Sequence, residues 1–219
     1  MTAKLKIDLD RVLKDKMPVV LELGCGRSRV EGRIHIDKAD LPNVDIVADI
    51  EDGLPFLPDD SIDEIHSTSF LEHVDDLETV VREISRVLKR EGRGFISVPH
   101  FSNPYFYSDY THKHFIGLYT LYYFVDERFQ LKRKVHTYYT DIRIRVLYQH
   151  LVIATPGKRF SFFKRFLEFV FNLNSWLQEF YEANLCYIFP CYGIRFVIAP
   201  DKPEKPDLQD GFPLEGAGG

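Results

Sequence analysis

Residues 19–29 read VVLELGCGRSR: an apolar run that ends in an acid, Glu22, and breaks at Gly24 and Gly26. A short run without polar alternation is how a strand buried on both faces of a parallel sheet reads. Glycines just past such a strand let the chain turn sharply and let a ligand approach the backbone with no Cβ in the way. Working outward, short apolar runs that end in polar residues recur at Ile34–Asp37, Val44–Asp49, Ile62–Ser67 and Gly94–Val98. Between the last two lies DDLETVVREISRVLKREG, residues 75–92, with apolar residues at Leu77, Val80, Val81, Ile84, Val87 and Leu88 and a stop at Gly92. That spacing predicts a helix of about four turns. A shorter amphipathic helix is expected over residues 8–16. Strands alternating with helices imply an α/β chain with a parallel sheet wound on both faces.

Beyond residue 100 the alternation ends. An aromatic loop, HFSNPYFYSDYTHKHF, spans residues 100–115, and a helix is expected from about Leu118 to Val125. Strand-like stretches follow at 129–138 and 142–154, then a long helical pattern over 158–184 with Phe163, Phe166, Leu167, Val170, Leu173, Leu177, Phe180 and Tyr181 on one face. This face is either core or the wall of a pocket. A last strand is read at Ile194–Ile198, and the Pro-, Gly- and charge-rich residues 200–219 read as a flexible tail. One domain, residues 1–199, is the resulting expectation.

The net charge of −5 divides unevenly: −7 over residues 1–100, +5 over 101–199 and −3 over 200–219. The middle block therefore favours an anionic partner over a cationic one. Its basic residues form no stripe, so nucleic acid is not expected. Three cysteines, one of them Cys25 in the glycine loop, make no disulfide framework. Together with a charged N-terminus lacking a signal-peptide core, they suit a cytoplasmic protein.

Asp37 closes the second strand fifteen residues after Glu22, where an acid of a doubly wound sheet accepts hydrogen bonds from ribose hydroxyls. A third acid, Asp49, ends the next strand and suits the exocyclic amine of adenine. With the glycine loop these acids point to a nucleoside ligand. ELGCGRS, HIDKAD, VADIEDGLPF, DSIDEIHSTSFLEHV, LKREGRGFISVP and IRFVIAP, in this order, resemble the class I methyltransferases that use S-adenosylmethionine, especially the type 11 group. The resemblance is strong over about residues 18–126. It implies a Rossmann-like fold with a seven-stranded, mostly parallel sheet, and a helical, aromatic-rich cap at about 141–189 between the sixth and seventh strands. It also implies that Glu22, Gly24, Cys25 and Gly26 hold the methionine part of the cofactor, Asp37 the ribose, Asp49 with Ile50 the adenine, with Ser69 alongside. Ser28 stands where the family has a third glycine. PHFSNPYFYSDYTHKHF and CYIFPCYGIRFVI are similar, more narrowly, to methyltransferases encoded among genes for bacterial surface polysaccharides. A sugar, sugar nucleotide or glycan precursor is the acceptor this implies.

Methyl transfer to a hydroxyl needs a base, and histidine is the usual one near neutral pH. Of His73, His100, His112 and His114, the reading favours His112 with Asp109 as its orienter, and His100 second. His100, Asp109, His112 and His114 are also zinc or iron ligand types, but an irregular loop gives them no common face, and no metal is expected. Lys158, Arg159, Lys164 and Arg165 begin the aromatic helix and suit an anionic acceptor. The same features suit an interfacial helix with a lipid or quinone acceptor at a membrane surface. A non-catalytic assembly protein using the aromatic helix as a homodimer surface is the remaining reading.

Overall fold

The computed structural model describes residues 3–15, 17–154 and 161–202. Its strands are β1 (Lys4–Leu5), β2 (Val20–Leu23), β3 (Ile34–Asp37), β4 (Ile46–Val47), β5 (Ile62–Thr68), β6 (Leu88–Pro99), β7 (Ile144–Val152) and β8 (Gly193–Pro200). Its α-helices are α1 (Leu9–Lys14), α2 (Leu77–Val87), α3 (Ser161–Phe171) and α4 (Ser175–Asn184). The strands form one mixed sheet in the order β1-β4-β3-β2-β5-β6-β8-β7. The five strands from β4 to β6 are parallel; β1, and β8 against both of its neighbours, pair antiparallel. The order reverses between β2 and β5, so their carboxyl ends diverge into a crevice, which is where ligands sit in Rossmann-like sheets.

Leu21, Leu23, Ile36, Ile46, Ile62 and Ile65 are fully buried in the sheet, and α2 packs against β6 and β8 with Val80, Val81, Ile84 and Val87 buried. The apolar spacing of α2 makes that stripe. Asp76 caps it, accepting from the Thr79 amide at 3.0 Å and the Thr79 hydroxyl at 2.6 Å. Asp76→Ala leaves the first turn with an unpaired donor and is expected to cost about 1 kcal/mol, read as a lowered melting temperature.

Several expectations need correction. Among the described residues the sheet has eight strands, not seven, because Lys4–Leu5 adds an antiparallel edge beside β4. The winding is less complete than alternation implies: residues 24–33 and 38–45 cross between strands without a helix. Residues 129–138 are not a strand. The buried Gln130 amide donates to the carbonyls of Tyr122, Val125 and Val135, satisfying an irregular loop that needs no ladder. The sixth strand is instead β7, inside the span expected as insertion, so the segment between it and the last strand is 153–192. The helix expected near Leu118–Val125 is a 3-10 turn, Thr120–Phe124.

The long helical pattern breaks in two at residues 172–174, where Asn172 bonds both Leu151 backbone groups and Asn174 caps α4. Its apolar face is half covered: Phe163, Phe166, Leu173 and Phe180 are exposed, while Tyr181 is fully buried and Leu167 and Leu177 pack against the core; Gln178 and Glu179 are buried as well. Residues 158–160 and the tail beyond Lys202 lie outside the described residues, so Lys158 and Arg159 are not placed. Among the described residues, no helix is long and apolar enough to cross a membrane.

Candidate active site

The crevice at the β2/β5 switch holds a cavity of about 180 Å³ lined by Gly24, Asp37, Asp49, Ile50, Ser69 and His73, with Lys38, Ala48, Glu51, Phe70 and Val74. Gly24 enters it with φ +65°, and a Cβ there would stand 2.3 Å from the Phe70 ring. Only glycine meets both conditions. Gly26 also has positive φ, and its amide donates to Asp37 Oδ2 at 2.7 Å. Asp37 Oδ1 accepts from the Ala39 amide at 2.8 Å. The carboxylate is thus aimed by backbone, and each oxygen keeps a lone pair for a ligand. Asp49 caps a short 3-10 turn by accepting from the Glu51 amide at 3.1 Å. Glu51 in turn accepts from the amides of Asp75 and Asp76, tying the crevice wall to the start of α2.

Three residues expected at the ligand are not among those lining this cavity. Glu22 is buried and ion-paired with Arg33. Cys25 packs with Val44 and Val47. Burial and the nearby Asp37 push its thiol up to about 11, so it stays protonated. Gly26 acts through Asp37. Lys38, Glu51, Phe70 and Val74 line the crevice without having been singled out; they flank the marked acids and the strand end, and that adjacency is the signal that finds them.

A second cavity adjoins through Ser69, itself held at φ +51°. Ser97, Val98, Pro99, Asn103, Val152, Tyr192, Gly193 and Arg195 complete it. Loop 100–115 spans the two, with Asn103 in the second cavity and His112 against His73 of the first, ring centroids 4.8 Å apart. Its far end is fastened by the Lys113 and His114 amides, which donate to the Glu72 carbonyl at 2.7 and 3.3 Å.

His112 Nδ1 lies 2.9 Å from the Phe106 carbonyl, an acceptor only, so Nδ1 carries the proton and Nε2 the lone pair. Asp109 Oδ2 stands 3.7 Å from that Nε2. The Thr111 hydroxyl donates to Asp109 Oδ1 at 2.6 Å, and this bond holds the Asp109 carboxyl below its ordinary range. His73 Nδ1 is 2.9 Å from the same hydroxyl oxygen. Burial keeps His73 below the usual imidazole value. Beside it, burial pushes the Glu72 carboxyl up to about 7.

His100 is fully buried, with Nδ1 2.9 Å from the Ser102 hydroxyl and Nε2 3.0 Å from Glu182. Glu182 also accepts from the Leu118 amide at 2.6 Å, so His100 ties loop 100–115 to α4 and has no ring nitrogen free for a substrate. Its expected second place as base is corrected to a brace. The imidazole that joins His112 comes from the segment after β5, which spacing within the loop does not reveal.

Residues 29–96 match the model of a type 11 family described as a methyltransferase domain. Among solved structures, the chain is similar to a SAM-dependent methyltransferase from Archaeoglobus fulgidus, 18% identical, covering 87% of this chain and 90% of that one, with a TM-score of 0.49. It is similar to one from Mesorhizobium loti, 14% identical, covering 86% and 94%, with a TM-score of 0.47. A third is the putative methyltransferase in complex with the Trm112 methyltransferase activator of Haloferax volcanii, 16% identical, covering 88% of each chain, with a TM-score of 0.48. No curated protein matches the chain. Residues 29–96 are methyltransferase-like by this match, and the glycine-floored crevice lies where a nucleoside cofactor of such a domain binds.

Proposed function

We propose that the enzyme methylates a hydroxyl of a sugar, sugar nucleotide or glycan precursor, with His112 taking the proton and Asp109 steadying the imidazole. The observation that carries this reading is the His112 tautomer: its Nδ1 proton is spent on the Phe106 carbonyl, leaving Nε2 as a proton acceptor in a loop that borders both cavities. In the first cavity Asp37 receives the ribose, Asp49 and Ile50 the adenine, and Gly24 and Ser69 the backbone approach to the methionine part. The cofactor supplies an electrophilic methyl on sulfur, so the protein's work is to position the acceptor and hold its proton. The second cavity offers Ser97, Asn103 and Arg195, a polar lining suited to several hydroxyls and a negative charge.

A second reading, a lipid-linked acceptor, is favoured by the uncovered aromatics of α3 and α4. Phe162 is 88% exposed, Phe169 66% and Trp176 55%, with Lys164 and Arg165 on the same helix as the first two. Such a face suits a membrane interface as well as it suits the wall of a cap. One experiment separates the two: incubation with methyl-labelled S-adenosylmethionine, a panel of sugar nucleotides in solution, and lipid-linked sugars in anionic vesicles. Label in the soluble sugar fraction is expected. Label only in the vesicle fraction would replace the first reading with the second, and no label from protein that binds the cofactor would remove both.

A further inference from the structure

The segment after β5 and the end of loop 100–115 bring together three side chains that the proton-transfer reading does not fully use. One ligand atom from each of Glu72, His73 and His112 lies within 4.8 Å of the others. The Glu72 side chain is 1% exposed, and neither carboxylate oxygen has a hydrogen-bond partner. Buried carboxylates are almost always partnered, because desolvation without compensation is costly. The nearest candidate, His73 Nε2, is 3.8 Å from Oε1, too far for a hydrogen bond. A cation seated between them would partner both.

The tautomers say what it is. The Thr111 hydroxyl has one proton and gives it to Asp109, so His73 Nδ1 must donate to the Thr111 oxygen at 2.9 Å, leaving its Nε2 as a lone pair. His112 is fixed in the same tautomer by the Phe106 carbonyl. Two imidazoles that donate Nδ1–H to protein acceptors, with Nε2 bare beside a carboxylate, form the arrangement of metal-bound histidines with their outer hydrogen bonds in place.

We propose that Glu72, His73 and His112 form a binding site for one divalent transition ion of the zinc type. Two nitrogens and one oxygen favour Zn²⁺ over Mg²⁺ or Ca²⁺, which take oxygen ligands. Ligand atoms on a tetrahedral zinc stand roughly 3.4 Å apart, so loading draws the three inward by rotation of their side chains. The Lys113 and His114 amides on the Glu72 carbonyl already hold the two segments in register. Three protein ligands leave a position open, and because His73 also lines the cofactor crevice, that position faces the methyl-transfer site. This consequence rests on the proposed function; the ion site itself does not.

The test is calorimetric titration of chelator-treated, full-length protein with Zn²⁺ alone, with S-adenosylmethionine titrated separately. One equivalent of Zn²⁺ is expected to bind, on the order of 100-fold more weakly in Glu72→Gln and His73→Ala, since removing a ligand costs at least as much as removing an outer partner. Thr111→Val, which keeps the ligands and removes the hydroxyl that orients His73 and bonds Asp109, is expected to weaken binding about 10-fold, and it carries the test should a buried variant misfold. No Zn²⁺ binding, or binding unchanged in Glu72→Gln and Thr111→Val, overturns the site. Loss of cofactor binding with Zn²⁺ binding intact overturns the methyltransferase reading alone.

Discussion

Replacing His112 with alanine is expected to lower kcat about 10²- to 10⁴-fold, the range a positioned general base supplies, in chelator-treated enzyme with S-adenosylmethionine affinity within about threefold of wild type. The two effects separate because His112 does not line the cofactor crevice, while its Nε2 is the lone pair left by the Phe106 bond. Asp109→Asn should cost less, on the order of 10-fold, because Asn still accepts from Thr111 and only the charge beside the imidazole is lost. A uniform rise in KM with kcat unchanged in His112→Ala would mean that the imidazole only binds the acceptor. Unaltered turnover would remove the base assignment outright.

How far the sequence carries this picture depends on whether a feature is local. The glycine loop and the acids at strand ends are written in consecutive residues, because a sharp turn and a carboxylate at a strand terminus are local requirements. Gly24, Asp37, Asp49, Ile50 and Ser69 all reach the crevice for that reason. Glu22 does not, because its partner Arg33 belongs to the next crossover and folds back on it. The cluster brings His112 to Glu72 and His73, 40 and 39 positions away, through hydrogen bonds from the Lys113 and His114 amides to one carbonyl, and no spacing rule expresses that.

The helical pattern over 158–184 shows a different limit. Apolar periodicity says that a helix has a face, but not what covers it. Here α4 docks through polar groups: Gln178 bonds Gln149 and Asn172, and Glu179 accepts from the Tyr119 hydroxyl and the Arg133 amide. Of its aromatic residues, Trp176 and Phe180 are left outside while Tyr181 is fully buried. A face of that kind contributes little to the fold and is free to serve an acceptor or a surface, which is why the acceptor, and not the cofactor, is the open part of the functional reading.

The cofactor side has its own decisive variant. Asp37→Ala is expected to weaken S-adenosylmethionine binding by about 10²-fold or more, since two hydrogen bonds from ribose hydroxyls to a charged acceptor contribute roughly 1.5–3 kcal/mol each. The loss has a second source, because the Gly26 and Ala39 amides that now donate to Asp37 become unpaired and the loop they shape loosens. Asp37→Asn divides the two. It offers one carbonyl oxygen, keeps at most one of those amides and removes the charge, so its affinity should fall between wild type and Asp37→Ala. Calorimetric titration of all three, with thermal melting to show that each is folded, reads this directly. Wild-type affinity in a folded Asp37→Ala protein would mean that the ribose is held elsewhere, and the crevice between β2 and β5 would lose its assignment as the cofactor site.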